Sequence, residues 1–379
     1  MLVDSSMAAL SDLTFRTAFV IYIVALVMAC IYYGRLLGVI DMRREREERR
    51  GAQADAEAQA EAQAKTQAMS QAEQKVAVGA GGGSRIVDLD AAPTAVESGD
   101  TPTARGARGT AELSDAEFEQ RYDKRVASAR KWAGMTQALV WFGVTLHLAA
   151  FVTRGIAARR FPLGNLYEYI LFMTAVIMVV AAVVIQRKGW HSIWPWLLFP
   201  MVVVMFLNST VFHLQAAPVV PALQSYWLPV HVSSVSIGAS IGIVSGIFAL
   251  LYLLRMWQPK GREHGVLGVV AKPLPSAKTL DTIAYKTAIV TLPLFGIGIV
   301  FGAIWAEVAW GRFWNWDAKE TVSMITWILY AAYLHARATA GWKSTAAAWI
   351  NVFALCMTVF NMTYVNFVSA SLHSYAGLN

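Results

Sequence analysis

Trp310-Gly311-Arg312-Phe313-Trp314-Asn315-Trp316-Asp317-Ala318-Lys319-Glu320 is a short polar gap between two apolar runs, near residues 283–304 and 321–338. Each run is long enough to cross a bilayer, so the gap reads as a loop joining two membrane helices. It holds three tryptophans and two carboxylates in eleven residues, with Trp305 and Trp327 on its flanks. Interfacial aromatic belts usually supply only about one or two rings per helix end. The density here suits a surface that lies against a large flat apolar ligand, and an interfacial segment with an aromatic anchor is the competing reading.

The rest of the chain extends the membrane pattern. Of 379 residues, 56% are hydrophobic and 15% charged, and apolar runs of about 20 residues recur. This describes an all-α integral membrane protein with about eight transmembrane helices. The net charge of +7 matches the usual basic excess of cytoplasmic loops, and no basic-aromatic pattern points to nucleic acid. Cys30 and Cys356 both fall in apolar runs and read as packing residues.

Residues 1–40 hold the first helix. Arg43, Arg44, Arg46, Arg49 and Arg50 follow it, the reverse of a cleaved signal peptide, so it is retained with its N-terminus outside. Residues 41–130 are low-complexity, rich first in Ala, Gln and Glu and then in Gly, Pro and Thr. They read as a part-helical, largely disordered cytoplasmic insert. Seven further runs near 132–153, 166–186, 193–213, 232–257, 283–304, 321–338 and 345–369 form a core over residues 131–379. Alternation puts Arg187 and Lys188, Lys260 to Lys278, and Arg337 and Lys343 inside, and both termini and the tryptophan loop outside. Arg154, Arg159 and Arg160 dissent from the positive-inside pattern, and guanidinium groups in such a place are natural partners for carboxylates.

His231, at the mouth of the fifth run, and His373, after the eighth, fall on the same side as the tryptophan loop. Neutral imidazoles are good axial ligands for haem iron, and both positions also suit interfacial polar caps. His335 lies deep in the seventh run, where an ionisable group is a functional candidate or a snorkelling residue. His147 has a weaker case of the same kind. If the loop were helical, Glu307, Trp310, Trp314 and Asp317 would share one stripe and Trp316 would leave it, so a bend at Gly311 is needed to gather the rings. Asn165 suits an N-cap for the third run, with Glu168 as a first-turn carboxylate or a ligand contact. Asn208, Asn351, Asn361 and Asn366 suit helix-joining amides.

Trp310-Gly311-x-x-Trp314-x-Trp316-Asp317-x-x-Glu320 resembles the signature of the WWD haem-handling family, and within it the CcsA (ResC, or actinobacterial CcsB) subunit of the system II cytochrome c synthase. Pro162 to Glu168, Trp227-Leu228-x-x-His231-Val232, Tyr330 to Arg337 and His373 to Gly377 add to the likeness, which covers roughly residues 132–379. The insert at 41–130 departs from it.

The resemblance implies a haem lyase component of the bacterial cell membrane. Haem b reaches an outer site under the loop and is presented to the CxxCH of apocytochrome c, with a ResB-like subunit and thiol-reducing proteins as partners. It implies His231 and His373 as outer axial ligands of the iron, and His335 as an intramembrane ligand opposed by the partner subunit. Trp310, Trp314, Trp316 and Asp317 are implied as the platform, while Glu320, like His147, Glu168, Arg154, Arg159 and Arg160, is a secondary candidate. The chain itself has no CxxCH and offers no obvious acid or base. The alternative activity is a haem exporter or chaperone that leaves the thioether bond to another protein. A further alternative is a transporter of something other than haem.

Overall fold

The computed structural model describes residues 3–79, 114–219, 223–339 and 344–367, and among these every regular element is helical. In chain order the helices are α1 (Ser5–Gly79), α2 (Asp115–Ala158), α3 (Leu166–Lys188), α4 (Trp194–Thr210, preceded by a 3-10 turn), α5 (Trp227–Trp257), α6 (Gly265–Ala271), α7 (Ala277–Trp310), α8 (Ala318–Ala338), α9 (Ser344–Met362) and α10 (Tyr364–Phe367). The chain divides into one unit of Met1–Leu37 with Ala127–Asn379 and a second of Gly38–Val126.

Seven helical stretches among the described residues are long and apolar enough to cross a membrane, against about eight expected. The difference is α8. It forms where the run at 321–338 was expected, but its 21 residues include Lys319, Glu320, His335 and Arg337 and are amphipathic rather than uniformly apolar.

In the second unit, the Ala-, Gln- and Glu-rich stretch is helical as far as it is described, in keeping with the high helix propensity of those residues. Residues from Asp115 pair with it antiparallel. Arg46 Nε meets Glu119 Oε1 at 2.7 Å, Arg49 Nη1 meets Asp115 Oδ1 at 3.3 Å, and the two guanidinium groups lie over Tyr122 and Phe118. Residues 80–113 of the insert lie outside the described residues.

In the first unit, α1 contributes a buried stripe of Phe15, Ala18, Tyr22, Ala25 and Ala29 to a core shared with α2, α3, α4 and α5. Inside a bilayer water cannot drive helices together, so close packing and polar ties must hold them. The asparagines act as the sequence leads one to expect. Asn208 Nδ2 donates to Tyr167 O (3.3 Å), Asn351 Nδ2 to Ser245 Oγ (2.9 Å) and Asn361 Nδ2 to Ser323 Oγ (2.8 Å), joining α4 to α3, α9 to α5 and α9 to α8. Helices α5 and α7 meet backbone to backbone. A Cβ added at Gly298 would lie 2.7 Å from Val235 N, so only glycine permits this approach.

Candidate functional site

The close approach of α5 and α7 creates the site. With no side chain on Gly298, its carbonyl is within reach of the α5 histidine, and His231 Nδ1 sits 2.8 Å from Gly298 O. A carbonyl can only accept, so Nδ1 carries the proton and Nε2 keeps the lone pair, the tautomer of a metal-donating imidazole. The ring stacks on Trp305 at 5.9 Å between centroids and 21° between planes. Gly302 makes room for it, since a Cβ there would come within 2.6 Å of His231 Cε1.

His231 and Trp305 line a cavity of about 160 Å³, open to the exterior. One wall is apolar, built by Val232, Val235 and Ala239 of α5 and by Phe295, Ile299 and Ala303 of α7. Another part of the lining is polar. The amphipathic α8 supplies Lys319, Ser323 and Thr326, and Asn361 and Asn366 join them from the C-terminal end of the described chain. Leu163 to Leu166, Tyr169 and Met173 close a third side.

The tryptophan loop is not helical. Helix α7 ends at Trp310, and Gly311 turns the chain in the left-handed region (φ 69°), its N–H bonding Glu307 O at 2.8 Å. This is the bend the sequence calls for. Asp317 then starts α8 with a capping box: its Oδ1 accepts from Glu320 N at 2.8 Å, and Glu320 Oε2 accepts from Asp317 N at 3.3 Å. Glu320 also accepts from Asn315 N (2.8 Å) and pairs with Arg312 (3.1 Å), so this carboxylate ties the loop together at three points.

The loop tryptophans differ in their relation to the cavity. Trp314 lines the cavity, as do Trp305 and Phe313. Trp310 packs behind Trp305 at 5.1 Å, and Trp316 meets Trp314 edge-on at 5.8 Å. Trp316 is 68% exposed and has a positive φ of 58°, a conformation that costs a bulky residue roughly 1–3 kcal/mol. Trp310, Trp316 and Asp317 are therefore outside the lining, and Asp317 acts on the site through the capping box.

Two further candidate histidines, His335 and His147, lie apart from the cavity. His335 is exposed on α8, sixteen residues beyond Lys319 and about 24 Å further along the axis at ~1.5 Å per residue. His147 is fully buried in the core, with Nε2 3.1 Å from Leu171 O and its ring edge-on to Phe15 and Tyr22. His373 lies outside the described residues.

Arg154 and Arg160 do find a carboxylate. Glu168 is fully buried between them, 3.2 Å from Arg154 Nε and 2.7 Å from Arg160 Nη1, and its Oε2 accepts from Gly164 N at 2.7 Å. The two arginines reach on to the carbonyls of Leu214 and Ala217. The cluster holds the turn that carries Leu163 to Leu166 into the cavity wall. Asn165 caps α3, accepting from Glu168 N at 2.9 Å. Arg159 is exposed, with a positive φ of 51°.

Two cavity residues escaped the sequence reading. Trp305 counted only as a flank of the loop, yet it stacks on His231. Lys319 was passed over as part of the motif, although a cation in the first turn of a helix opposes the helix dipole and so signals something unusual. Its Nζ donates to Asn366 Oδ1 and lies 5.8 Å from the Tyr169 ring centroid, and burial pushes its pKa down to about 8.

The cavity, largely apolar with His231 and a group of polar side chains in its lining, is carried on a multi-pass helical membrane scaffold. The chain belongs to the cytochrome c assembly protein family, which it matches over residues 163–373. It is 35% identical over 244 residues to the cytochrome c biogenesis protein CcsA of Guillardia theta, covering 60% of this chain and 80% of that one. It is 32% identical over 279 residues to CcsA of Parasynechococcus marenigrum (65% and 88%) and 31% over 294 residues to CcsA of Chlamydomonas reinhardtii (75% and 77%). A role in cytochrome c biogenesis within a membrane follows.

Proposed function

We propose that the cavity receives haem b as substrate and presents it for covalent attachment to the CxxCH of apocytochrome c. The observation that carries this reading is the tautomer of His231. A cavity-lining imidazole whose Nδ1–H is held by Gly298 O has its lone pair on Nε2, suited to an axial iron position. The aromatic side chains of the lining, Trp305, Phe313 and Trp314 among them, suit a porphyrin face.

In this reading His373 is the second axial ligand of the outer site, and His335 is a ligand at a separate intramembrane site, opposed by a residue of a ResB-like subunit. The exposure of His335 on α8 agrees with a ligand completed from outside this chain. We place α8 across the membrane as an eighth span. Both termini and the tryptophan loop then lie on the extracytoplasmic face of a bacterial plasma membrane. Attachment adds each thiol S–H across one haem vinyl group, forming a C–S bond at one carbon and a C–H bond at the other. The redox balance is neutral once thiol-reducing proteins keep the CxxCH thiols reduced. The protein's part is to hold and orient the ring, a haem lyase role by positioning.

The test is an absorption spectrum of the purified full chain with its ResB-like partner, for wild type, His231→Ala, His373→Ala and the double variant. The expected result is a Soret band with sharp reduced α and β bands, altered in each single variant and lost from the outer site in the double. Unchanged haem content in all three variants would sink the outer-site assignment. Haem retained without thioether formation on a CxxCH peptide would leave delivery and refute the lyase.

A further inference from the structure

We propose that Lys319 is the anchor for an anionic carboxylate of the cavity's ligand, so that the polar wall formed by α8 fixes which edge of the ligand faces it. This rests on the haem reading and assigns the porphyrin's carboxylates to a named side chain.

Lys319 is the one lysine or arginine in the cavity lining among the described residues. Its position is unfavourable without an anion. It sits in the first turn of α8, where the dipole is positive, and an ammonium withdrawn from water has a high desolvation cost. Asp317 acts on it electrostatically, but no carboxylate of the described residues forms an ion pair with Nζ, whose partners are the Asn366 amide oxygen and the Tyr169 ring. Glu320, next in sequence, is already matched by Arg312 and the backbone N–H groups of Asn315 and Asp317.

The same lining holds further donors. Trp314 Nε1 is buried with no hydrogen-bond partner, and Ser323 Oγ accepts from Asn361 Nδ2, which leaves its own hydroxyl hydrogen to donate. One ammonium, one indole N–H and one hydroxyl on residues of this lining are the complement of a carboxylate. The lining supplied by α5 and α7 includes Val232, Val235, Phe295 and Ile299, which offer a carboxylate nothing. A porphyrin with carboxylates on one edge only is thereby held in one orientation. The edge carrying the vinyl groups is turned away from α8.

The experiment titrates the full chain in detergent with iron protoporphyrin IX and with its dimethyl ester, for wild type, Lys319→Met and Lys319→Arg. Wild type is expected to bind the free acid about tenfold more tightly than the ester. Lys319→Met should bring the two ligands to equal affinity, and Lys319→Arg should keep most of the preference. Equal affinity for acid and ester in wild type, or an undiminished preference in Lys319→Met, overturns the assignment while leaving haem binding in place. Failure of wild type to bind either ligand instead overturns the haem reading, and this inference with it. A thermal melt of each variant separates lost binding from lost folding.

Discussion

His147 and His231 both sit in membrane helices, and each bonds one ring nitrogen to a backbone carbonyl of a neighbouring helix. They differ in what lies beyond the ring. His147 is enclosed by Phe15, Tyr22 and the rest of the core, so its second nitrogen meets only packed side chains. His231 stacks on Trp305 at the edge of a cavity, in a space that Gly302 keeps clear. Burial of a histidine in a membrane helix is therefore no guide to function by itself. What decides is whether the helices beside it leave room, and here two glycines of α7 make that difference.

The sharpest way to break the comparison is to truncate His147. His147→Ala should lower stability by roughly 2–4 kcal/mol through the void it leaves, while the protein that does fold keeps its haem spectrum. A melt and a spectrum on one preparation read both quantities. An intact melt with lost haem would reverse the roles given to the two histidines. A smaller effect is expected at Gly302→Ala, where the new methyl group displaces the His231 ring. Haem affinity should fall by about tenfold with a shifted Soret maximum and little change in stability, and an unchanged spectrum would mean that His231 does not hold the iron.

The smallest effect concerns pH. Lys319 has its pKa lowered to about 8 by burial, so it is protonated below that value and loses its charge above it. Bound carboxylate favours the protonated amine, so free-acid haem affinity should be flat up to about pH 8 and decline by a few-fold, roughly, as pH rises further. Glu320 of α8, Tyr169 of α3 and His231 of α5 line the same cavity, and Asp317 and Arg312 act on Lys319 and Glu320 from outside the lining. The comparison with Lys319→Met therefore isolates the lysine, and a decline of equal size in that variant would assign the pH effect elsewhere.

Much of the fold was legible because hydropathy in a bilayer is a local property. Each apolar run folds its own hydrogen bonds into a helix whatever its neighbours do. The turn at Gly311 was legible for a similar reason, since glycine alone takes a left-handed cap without cost. The arginines at 154 and 160 announced a carboxylate by standing where the charge rule forbids them, and Glu168 is that carboxylate. Helix α8 was harder to read. The run was legible as a helix but its amphipathic character was not, because Lys319, Glu320, Ser323 and Thr326 line a cavity that hydropathy averaging does not register.

A helical membrane protein, a tryptophan loop bent at Gly311 between two helices, and His231 as a candidate ligand could all be read from the order of residues alone. Only the tertiary structure decided that Trp305 and Lys319 belong to the cavity, that Trp310 and Trp316 stand outside its lining, that Asp317 is a helix cap, and that His147 is core. The physical reason is that periodicity along one helix specifies which face is apolar. Which side chains share a space depends on the separation between helices, and between α5 and α7 that separation is fixed by backbone contact at glycine, which leaves no periodic trace.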